Sequence, residues 1–153
     1  MNPITLKPIA FVQSSRKIIK DDDWGDVLAE IKLVEEIDAS AFDGIDTFSH
    51  LEILFYFHKV PAEKIKWGAA HPRGNTDWPK VGIFAQRKKS RPNLIGATIV
   101  ELIERNKDLL VVKGLDAIEG TPVLDIKPVM QEFLPNKEVK QPDWATELMR
   151  NYW

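Results

Sequence analysis

Hydrophobic and polar positions alternate along several short stretches of the chain. In the stretch 27–34, VLAEIKLV, one face of an extended chain carries only apolar residues, and Glu30 and Lys32 fall on the other face. A period of two predicts a half-buried strand. The stretch 51–60, LEILFYFHKV, is more densely apolar and is followed by Pro61. Its short length and its aromatic residues favour a buried strand over a helix.

The second half of the chain has the pattern of a hairpin. LIGATIVELIER and LLVVKGLDAI are apolar runs on either side of NKD, residues 106–108, which suits a tight turn. TPVLDIKPV is predicted to be the last strand and to end at Pro128. A further run, PKVGIF, precedes residues 87–91 and is also typical of a strand.

Signals for helices are few. DASAFDGI predicts a short helical turn that is closed by Gly44. QPDWATELMRNYW predicts about two turns of helix with Asp143 as the N-cap. Trp144, Leu148 and Tyr152 recur at a spacing of four, so they are expected to pack on one face of this helix.

The distribution of these elements predicts a mainly β protein. Ten prolines and eight glycines separate short apolar runs, and no internal repeat or second-domain linker is visible in the 153 residues. A closed sheet leaves fewer exposed edges than a flat one. The prediction is therefore one domain over residues 1–153, a single-sheeted β-barrel with short helices that include the C-terminal one.

Composition excludes several classes of function. The formal net charge is −2, so the whole surface is not a nucleic-acid binder, and any affinity for phosphate must come from a local patch. The absence of cysteine excludes disulfides and cysteine-ligated zinc, and three scattered histidines lack metal-binding spacing, so no metal is expected. Neither a signal peptide nor a membrane span is recognisable, which makes a cytoplasmic protein without membrane attachment the expectation.

A local positive patch does occur. Residues 87–91, RKKSR, which we call the basic loop, contain no acidic residue and are followed by the turn-forming sequence PN and by Gly96. HPRGN, residues 71–75, adds Arg73 in a loop shaped by proline and glycine. The two loops are predicted to converge on a phosphate or a carboxylate. The alternative is a solvated hairpin loop.

A second candidate site lies near the C-terminal strand. The sequence EGTP, residues 119–122, predicts a tight turn whose backbone N–H groups are able to receive a ligand carboxylate or an adenine edge. Asp125 and Lys127 fall on one face of the following strand, where the alternative to a binding role is an ion pair. The run DDD, residues 21–23, is expected to be an exposed loop, which we call the acidic loop.

Three blocks of sequence, in order, resemble the TrmO family, which is also called TsaA-like or YaeB-like. They are FSHLEILFYFH, GIFAQRKKSRPNLIG and LDAIEGTPVLDIKP. The resemblance runs from about residue 9 to 128 and leaves a C-terminal extension, 129–153. It implies a homodimeric β-barrel that uses S-adenosylmethionine to methylate N6 of N6-threonylcarbamoyladenosine at tRNA position 37.

The resemblance also assigns residues to roles. Because the N6 proton must leave as the new bond forms, a general base is needed, and Asp125 and His50 are the candidates. The residues expected to bind the anticodon arm or the threonyl carboxylate are Arg73, Lys88, Lys89, Arg91, Asn93 and Lys127. The residues expected to contact S-adenosylmethionine are Ser14, Ser15, Arg16, Ser49, His50, Arg87, Ala97, Glu119, Gly120, Thr121, Pro122 and Val123.

Two alternatives stay open at this point. The family usually has Ser-Pro where this chain has Lys88 and Lys89, which leaves room for a methyltransferase of the same fold that acts on another RNA or on a small molecule. A non-catalytic module that binds an adenine-containing ligand is the other alternative.

Overall fold

The computed structural model describes residues 2–153 and contains eight strands. Their bounds are β1 Ala10–Ser14, β2 Leu28–Leu33, β3 His50–Tyr56, β4 Ala69–Ala70, β5 Val81–Gly82, β6 Ile95–Asn106, β7 Leu109–Lys113 and β8 Pro122–Pro128. Six of them close into an antiparallel barrel in the order β1-β2-β7-β6-β3-β8, and β4 pairs with β5 in a separate two-stranded sheet. The predicted mainly β barrel is therefore confirmed.

The alternation in the sequence explains which side chains fill the barrel. In β2, Ala29, Ile31 and Leu33 are buried, whereas Leu28 and Glu30 are exposed. Each fully buried aliphatic side chain of this kind contributes about 1.5–3 kcal/mol. The fully buried large side chains of the barrel strands are Val12, Ile31, Leu51, Ile53, Phe55, Val100, Leu110, Val112 and Val123.

Close packing requires glycine at one position of β6. Gly96 pairs with Phe55 of β3, and a Cβ on Gly96 would lie 2.5 Å from Cε2 of Phe55 and 2.9 Å from Cζ of Phe57. The two phenylalanine rings pack edge to face with centroids 5.3 Å apart. Any larger residue at Gly96 would displace this aromatic pair.

Strand directions define two ends of the barrel. We call the end where β1, β3 and β7 finish and β2, β6 and β8 begin the upper end, and the opposite one the lower end. The lower end is covered by 3-10 turns at Ala39–Phe42 and Ile45–Thr47. Asp38 caps the first turn by accepting a hydrogen bond from the Ser40 N–H at 2.8 Å, and the Phe42 side chain is buried.

The upper end carries the long connection from β3 to β6. It contains β4, β5 and four 3-10 turns, at Ala62–Lys64, Pro72–Gly74, Ile83–Ala85 and Pro92–Leu94. The run PKVGIF forms only the two residues of β5 and part of a 3-10 turn, so the prediction of a full strand before the basic loop is wrong. The basic loop therefore connects two 3-10 turns and is not the loop of a barrel hairpin.

The C-terminal extension ends in a short helix, α1, Asp143–Leu148. Its N-cap is Pro142, so the prediction of Asp143 as the N-cap is wrong by one residue. Tyr152 lies beyond the end of the helix, although it is partly buried, as Trp144 and Leu148 are. In the span from residue 2 to 153, no helix has the length and the apolar character that crossing a membrane requires.

Candidate functional site at the upper end of the barrel

A cleft opens beside the end of β1 and the turn before β8. The Ser14 N–H donates to Oε2 of Glu119 at 2.5 Å, and the Arg16 N–H donates to Oγ of Ser14 at 3.2 Å. Ser14, Ser15, Lys17 and Glu119 line one side of this cleft of about 510 Å³, and apolar residues of β2 and β7 line the rest together with Glu30. The cleft therefore presents hydroxyl groups, a cation and a carboxylate within one concave surface.

The turn 119–122 differs from its prediction. The N–H groups of Glu119, Gly120 and Thr121 donate to the carbonyl oxygens of Arg16, Val12 and Ile118, at 2.7, 2.8 and 3.1 Å, and Pro122 has no N–H. The N–H groups that the sequence predicted to bind a ligand therefore donate to backbone carbonyl oxygens of the protein instead. Gly120 has a φ of 75°, which explains why glycine occupies the turn. Val123 is buried in the barrel.

Two residues that sequence reasoning missed lie beside this turn. His58 follows the end of β3, and its Nε2 is 4.0 Å from the position that a Cβ on Gly120 would take. Burial lowers the pKa of His58 below its ordinary value of 6.5, and the charge of Lys59 lowers it further. Lys59 Nζ donates to the carbonyl oxygen of Lys17 at 3.2 Å. The signal for this position in the sequence is the aromatic run before His58, because a buried strand that ends there places His58 at the rim of the barrel.

Arg87 precedes β6 in the chain, and its guanidinium reaches the start of that strand. Its guanidinium donates to the carbonyl oxygen of Ala97, and its side chain is exposed. Arg91 is turned inward and donates to the carbonyl oxygen of Gln86 at 2.9 Å, which stabilises the basic loop. Asn93 is exposed and has a φ of 62°, as the predicted turn requires.

The cations of the two predicted loops do converge, and they meet the acidic loop. Arg73 donates to both carboxylate oxygens of Asp22, at 2.6 and 3.1 Å, and Lys89 lies 2.9 Å from Asp21. The bond from Lys89 holds the pKa of Asp21 below its usual value, although partial burial opposes the shift. The acidic loop, expected to be a solvated loop only, therefore supplies the anions that the basic residues bind.

Arg16 also serves the acidic loop. Its guanidinium donates to the carbonyl oxygens of Asp22, at 2.9 Å, and of Asp23. The same group lies 4.2 Å from the centroid of the Trp24 ring, and the Trp24 side chain is buried. These contacts give Arg16 a structural role in addition to the cofactor contact that the sequence predicted.

The C-terminal residues complete this end of the barrel. The N–H groups of Asp23 and Trp24 donate to the carbonyl oxygens of Asn151 and Tyr152, at 2.9 and 2.8 Å. The Tyr152 hydroxyl donates to Asp116, whose other oxygen accepts from Thr98. Burial, followed by the charge of Asp116, raises the pKa of Tyr152 far above its ordinary value. No local pattern in the sequence links these positions.

The structure does not bring Ser49 and His50 to this site. They lie at the lower end, where Ser49 Oγ is 2.8 Å from Nδ1 of His50 and His50 pairs with Glu101. Ala97 lies four residues before Glu101 in β6, and this separation corresponds to about 13 Å along the strand. The predicted cofactor set is therefore divided between the two ends of the barrel.

Asp125 and Lys127 occupy the outer face of β8. Their side chains form the ion pair that was left open as an alternative. Asp125 pairs with Leu54 of β3, which pairs in turn with Ala97 of β6. Two cross-strand steps of about 5 Å each separate Asp125 from Ala97. Among residues 2–153, no group of three or more His, Asp or Glu residues is arranged to hold a metal ion.

Comparison with known proteins gives consistent matches. Residues 19–133 match the family model of the tRNA-methyltransferase O N-terminal domain. An S-adenosyl-L-methionine-binding protein of Archaeoglobus fulgidus is 34% identical over 132 residues, which covers 84% of this chain and 91% of the relative. The tRNA (adenine(37)-N6)-methyltransferase of Escherichia coli is 42% identical over 106 residues, which covers 64% of this chain and 44% of that enzyme.

A solved structure shares the fold. The crystal structure of TrmO from Pseudomonas aeruginosa superposes with a TM-score of 0.71 at 25% identity, covering 90% of this chain. The present chain spans 61% of that structure. The barrel with its upper-end connection therefore recurs in a longer protein.

Proposed function

Because this chain belongs to the tRNA-methyltransferase O (TrmO) family, we propose that it transfers a methyl group from S-adenosylmethionine to N6 of adenosine 37 in tRNA. The proposed substrate form is the N6-threonylcarbamoyl nucleoside, and the proposed state is a cytoplasmic homodimer of one domain per chain. The observation that supports this most directly is the upper end of the barrel, where Arg16, next in sequence to Ser15 of the cleft, binds the acidic loop that also pairs with a cluster of cations.

The residues of the cleft suit the proposed cofactor. A volume of about 510 Å³ lies within the range of roughly 300–1,000 Å³ that small-molecule sites occupy. Lys17 is able to pair with the carboxylate of S-adenosylmethionine, and Glu119 with its ammonium group. The hydroxyls of Ser14 and Ser15 complement the ribose. Because the amides of the 119–121 turn are used by the fold, recognition of the adenine falls to side chains.

The protein's part in the chemistry is positioning and proton acceptance. The cofactor supplies an electrophilic methyl group, so the residues around it need to orient the acceptor nitrogen and to remove its proton. Burial lowers the pKa of His58, which favours the neutral imidazole that accepts a proton, and its Nε2 lies beside the Gly120 turn. We assign proton acceptance to His58 Nε2 in the first place and retain Asp125, which is linked to Ala97 through Leu54 in the strand register, as the second candidate.

The substrate's negative charge is proposed to replace that of the acidic loop. Lys89 and Arg73 pair with Asp21 and Asp22 in the free protein, and both pairs are partly exposed. The exposed Lys89–Asp21 pair is of the kind that contributes roughly 0–1 kcal/mol, so an RNA phosphate or a threonyl carboxylate can replace Asp21 there. The Arg73–Asp22 pair is bidentate and less exposed, so its exchange costs more. Lys88 adjoins this cluster and lowers the pKa of Asp21 through its charge. Asn93 and Lys127 stay in the proposed substrate set by resemblance.

A labelled methyl-transfer assay tests the proposal. The protein is incubated with S-adenosylmethionine that carries a labelled methyl group and with total tRNA from a strain lacking the corresponding gene. We expect label in the N6-threonylcarbamoyl nucleoside at position 37. Label in another RNA would favour a different substrate, and binding of S-adenosylmethionine without any demethylated product would favour a binding module.

A further inference from the structure

The connection between β3 and β6 differs in charge from the rest of the chain. Residues 57–94, which we call the crossover arm, contain nine Lys and Arg against two Asp and Glu, whereas the rest of the chain contains twelve against 21. The arm therefore carries a formal charge of +7 in a protein whose net charge is −2. Asp21 and Asp22 offset two of these charges and leave the arm strongly positive.

Two aromatic rings project from this arm into solvent. The side chains of Trp67 and Phe84 are 76% and 77% exposed. They start from neighbouring backbone positions, because the Ile83 N–H donates to the carbonyl oxygen of Gly68 at 3.1 Å, as an extension of the β4–β5 pairing. Trp67 directly precedes Gly68, and Phe84 directly follows Ile83. Two exposed rings thus start from adjacent backbone positions, and we call them the aromatic pair.

A cation lies close in sequence to each ring of the aromatic pair. Lys66 precedes Trp67, and its N–H donates to the carbonyl oxygen of Ser90 at 3.0 Å, which joins this segment to the basic loop. Arg87 follows Phe84 by three residues, across the 3-10 turn Ile83–Ala85. Aromatic faces between positive side chains are the arrangement with which proteins bind unpaired nucleotides, since bases stack on the rings while the cations neutralise the phosphates.

Charge decides between two occupants of this surface. A second copy of the chain would bring another arm of charge +7 against the first, whereas an RNA loop brings one negative charge with each nucleotide. We propose that Trp67 and Phe84 form a stacking platform for unpaired bases of the RNA substrate, next to the phosphate contacts of the basic loop. This inference rests on the proposed function, because it assumes that the substrate is RNA. It adds two aromatic residues to a proposed binding set that otherwise consists of cations and Asn93.

The test compares the binding of two RNAs over a series of salt concentrations. One is a tRNA anticodon stem-loop, and the other is a duplex with the same stem and no loop. Trp67→Ala combined with Phe84→Ala should weaken stem-loop binding by about 30-fold or more at every salt concentration, because two stacked bases are lost and base stacking is insensitive to counterions. Duplex binding should not change. Trp67→Phe with Phe84→Tyr should restore most of the stem-loop affinity.

Controls separate the possible failures. Phe133→Ala removes a ring that is 86% exposed and lies outside the arm, and it should leave both affinities unchanged. Equal stem-loop affinity of the wild type and the double alanine variant would overturn the platform, and so would a dimer that sediments as a monomer after Phe84→Ala alone. A wild-type protein that binds neither RNA and methylates no tRNA would instead overturn the proposed function.

Discussion

The two ends of the barrel show how one strand serves two different environments. β3 places His50 at the lower end and is followed at the upper end by His58. The lower end is covered by apolar side chains, among them Ile37 and Phe42, around a cavity of about 210 Å³. The upper end has a cleft of about 510 Å³ whose lining includes hydroxyl, amine and carboxylate groups, and it has a cluster of ion pairs. Ligand chemistry is therefore expected at only one of them.

The comparison also shows that residues of one continuous sequence motif need not lie close together in space. FSHLEILFYFH is continuous in sequence, yet the six residue steps from His50 to Tyr56 cover about 20 Å along the strand. A ligand contact at one end of such a block therefore does not extend to the other. Within one chain, the catalytic and cofactor roles predicted for His50 therefore require a ligand at the lower end, away from the upper-end residues.

The largest difference between the ends is expected in methyl transfer. Arg87→Ala should lower kcat/KM about 10- to 150-fold, because it removes a charged hydrogen-bond donor beside the proposed cofactor. His50→Ala, at the lower end, should change kcat/KM less than twofold. Steady-state rates with labelled cofactor and tRNA measure both. A large loss in His50→Ala with normal activity in Arg87→Ala would reverse the assignment of the ends.

Substrate binding should show the next largest difference. Lys88→Ala with Lys89→Ala should weaken tRNA binding roughly tenfold and reduce the slope of log K against log salt by about 1.4 to 1.8, because two phosphate contacts are lost. The matched control removes two cations from the lower end, through Lys32→Ala with Lys107→Asn. If the control lowered the slope as much as the loop variant, tRNA binding would not be confined to the upper end.

Removal of the acidic loop's charge should have a smaller effect of opposite sign. Asp21→Asn with Asp22→Asn should strengthen tRNA binding about three- to tenfold. In the variant, Lys89 and Arg73 have no carboxylate partner within the protein, so no ion pair has to be broken before they bind a phosphate. Asp43→Asn, which breaks an ion pair with Arg105 elsewhere, is the control. Weaker binding in the double variant would mean that the acidic loop positions the cations and does not compete for them.

The smallest expected effect concerns pH. Burial lowers the folded-state pKa of His58 below 6.5, so the unfolded chain binds this proton more readily. Stability from this group is present above pH 6.5 and is lost as pH falls from 6.5 through the folded pKa. His58→Gln should flatten the dependence of the free energy of unfolding on pH in that window. An NMR titration that placed the His58 pKa above 6.5 would contradict the sign.

Much of the barrel could be predicted because its interior selects every second residue. The alternation in β2 and the hairpin of β6 and β7 follow from local patterns alone. The run PKVGIF was predicted wrongly as a full strand. A short apolar stretch is compatible with a two-residue strand followed by a turn as well as with a barrel strand. Length and composition do not separate these outcomes.

The site was harder to predict because its contacts are long range. Lys89 meets Asp21 across 68 positions, and Tyr152 meets Asp116 across 36. The turn at 119–121 was recognised correctly as a turn, but its N–H groups are used by neighbouring carbonyls that only the folded chain brings near. A local pattern identifies polar groups, whereas the tertiary structure determines which of them are available to a ligand.

The central claim is that the cofactor and the RNA meet at the upper end of the barrel. A crystal structure of the protein with saturating S-adenosylmethionine tests it most directly. We predict the nucleoside in the cleft that Ser14, Ser15, Lys17 and Glu119 line, with its methyl group on the side of His58. Density for the cofactor beside Ser49 and His50, or its absence from the cleft at saturation, would contradict the account.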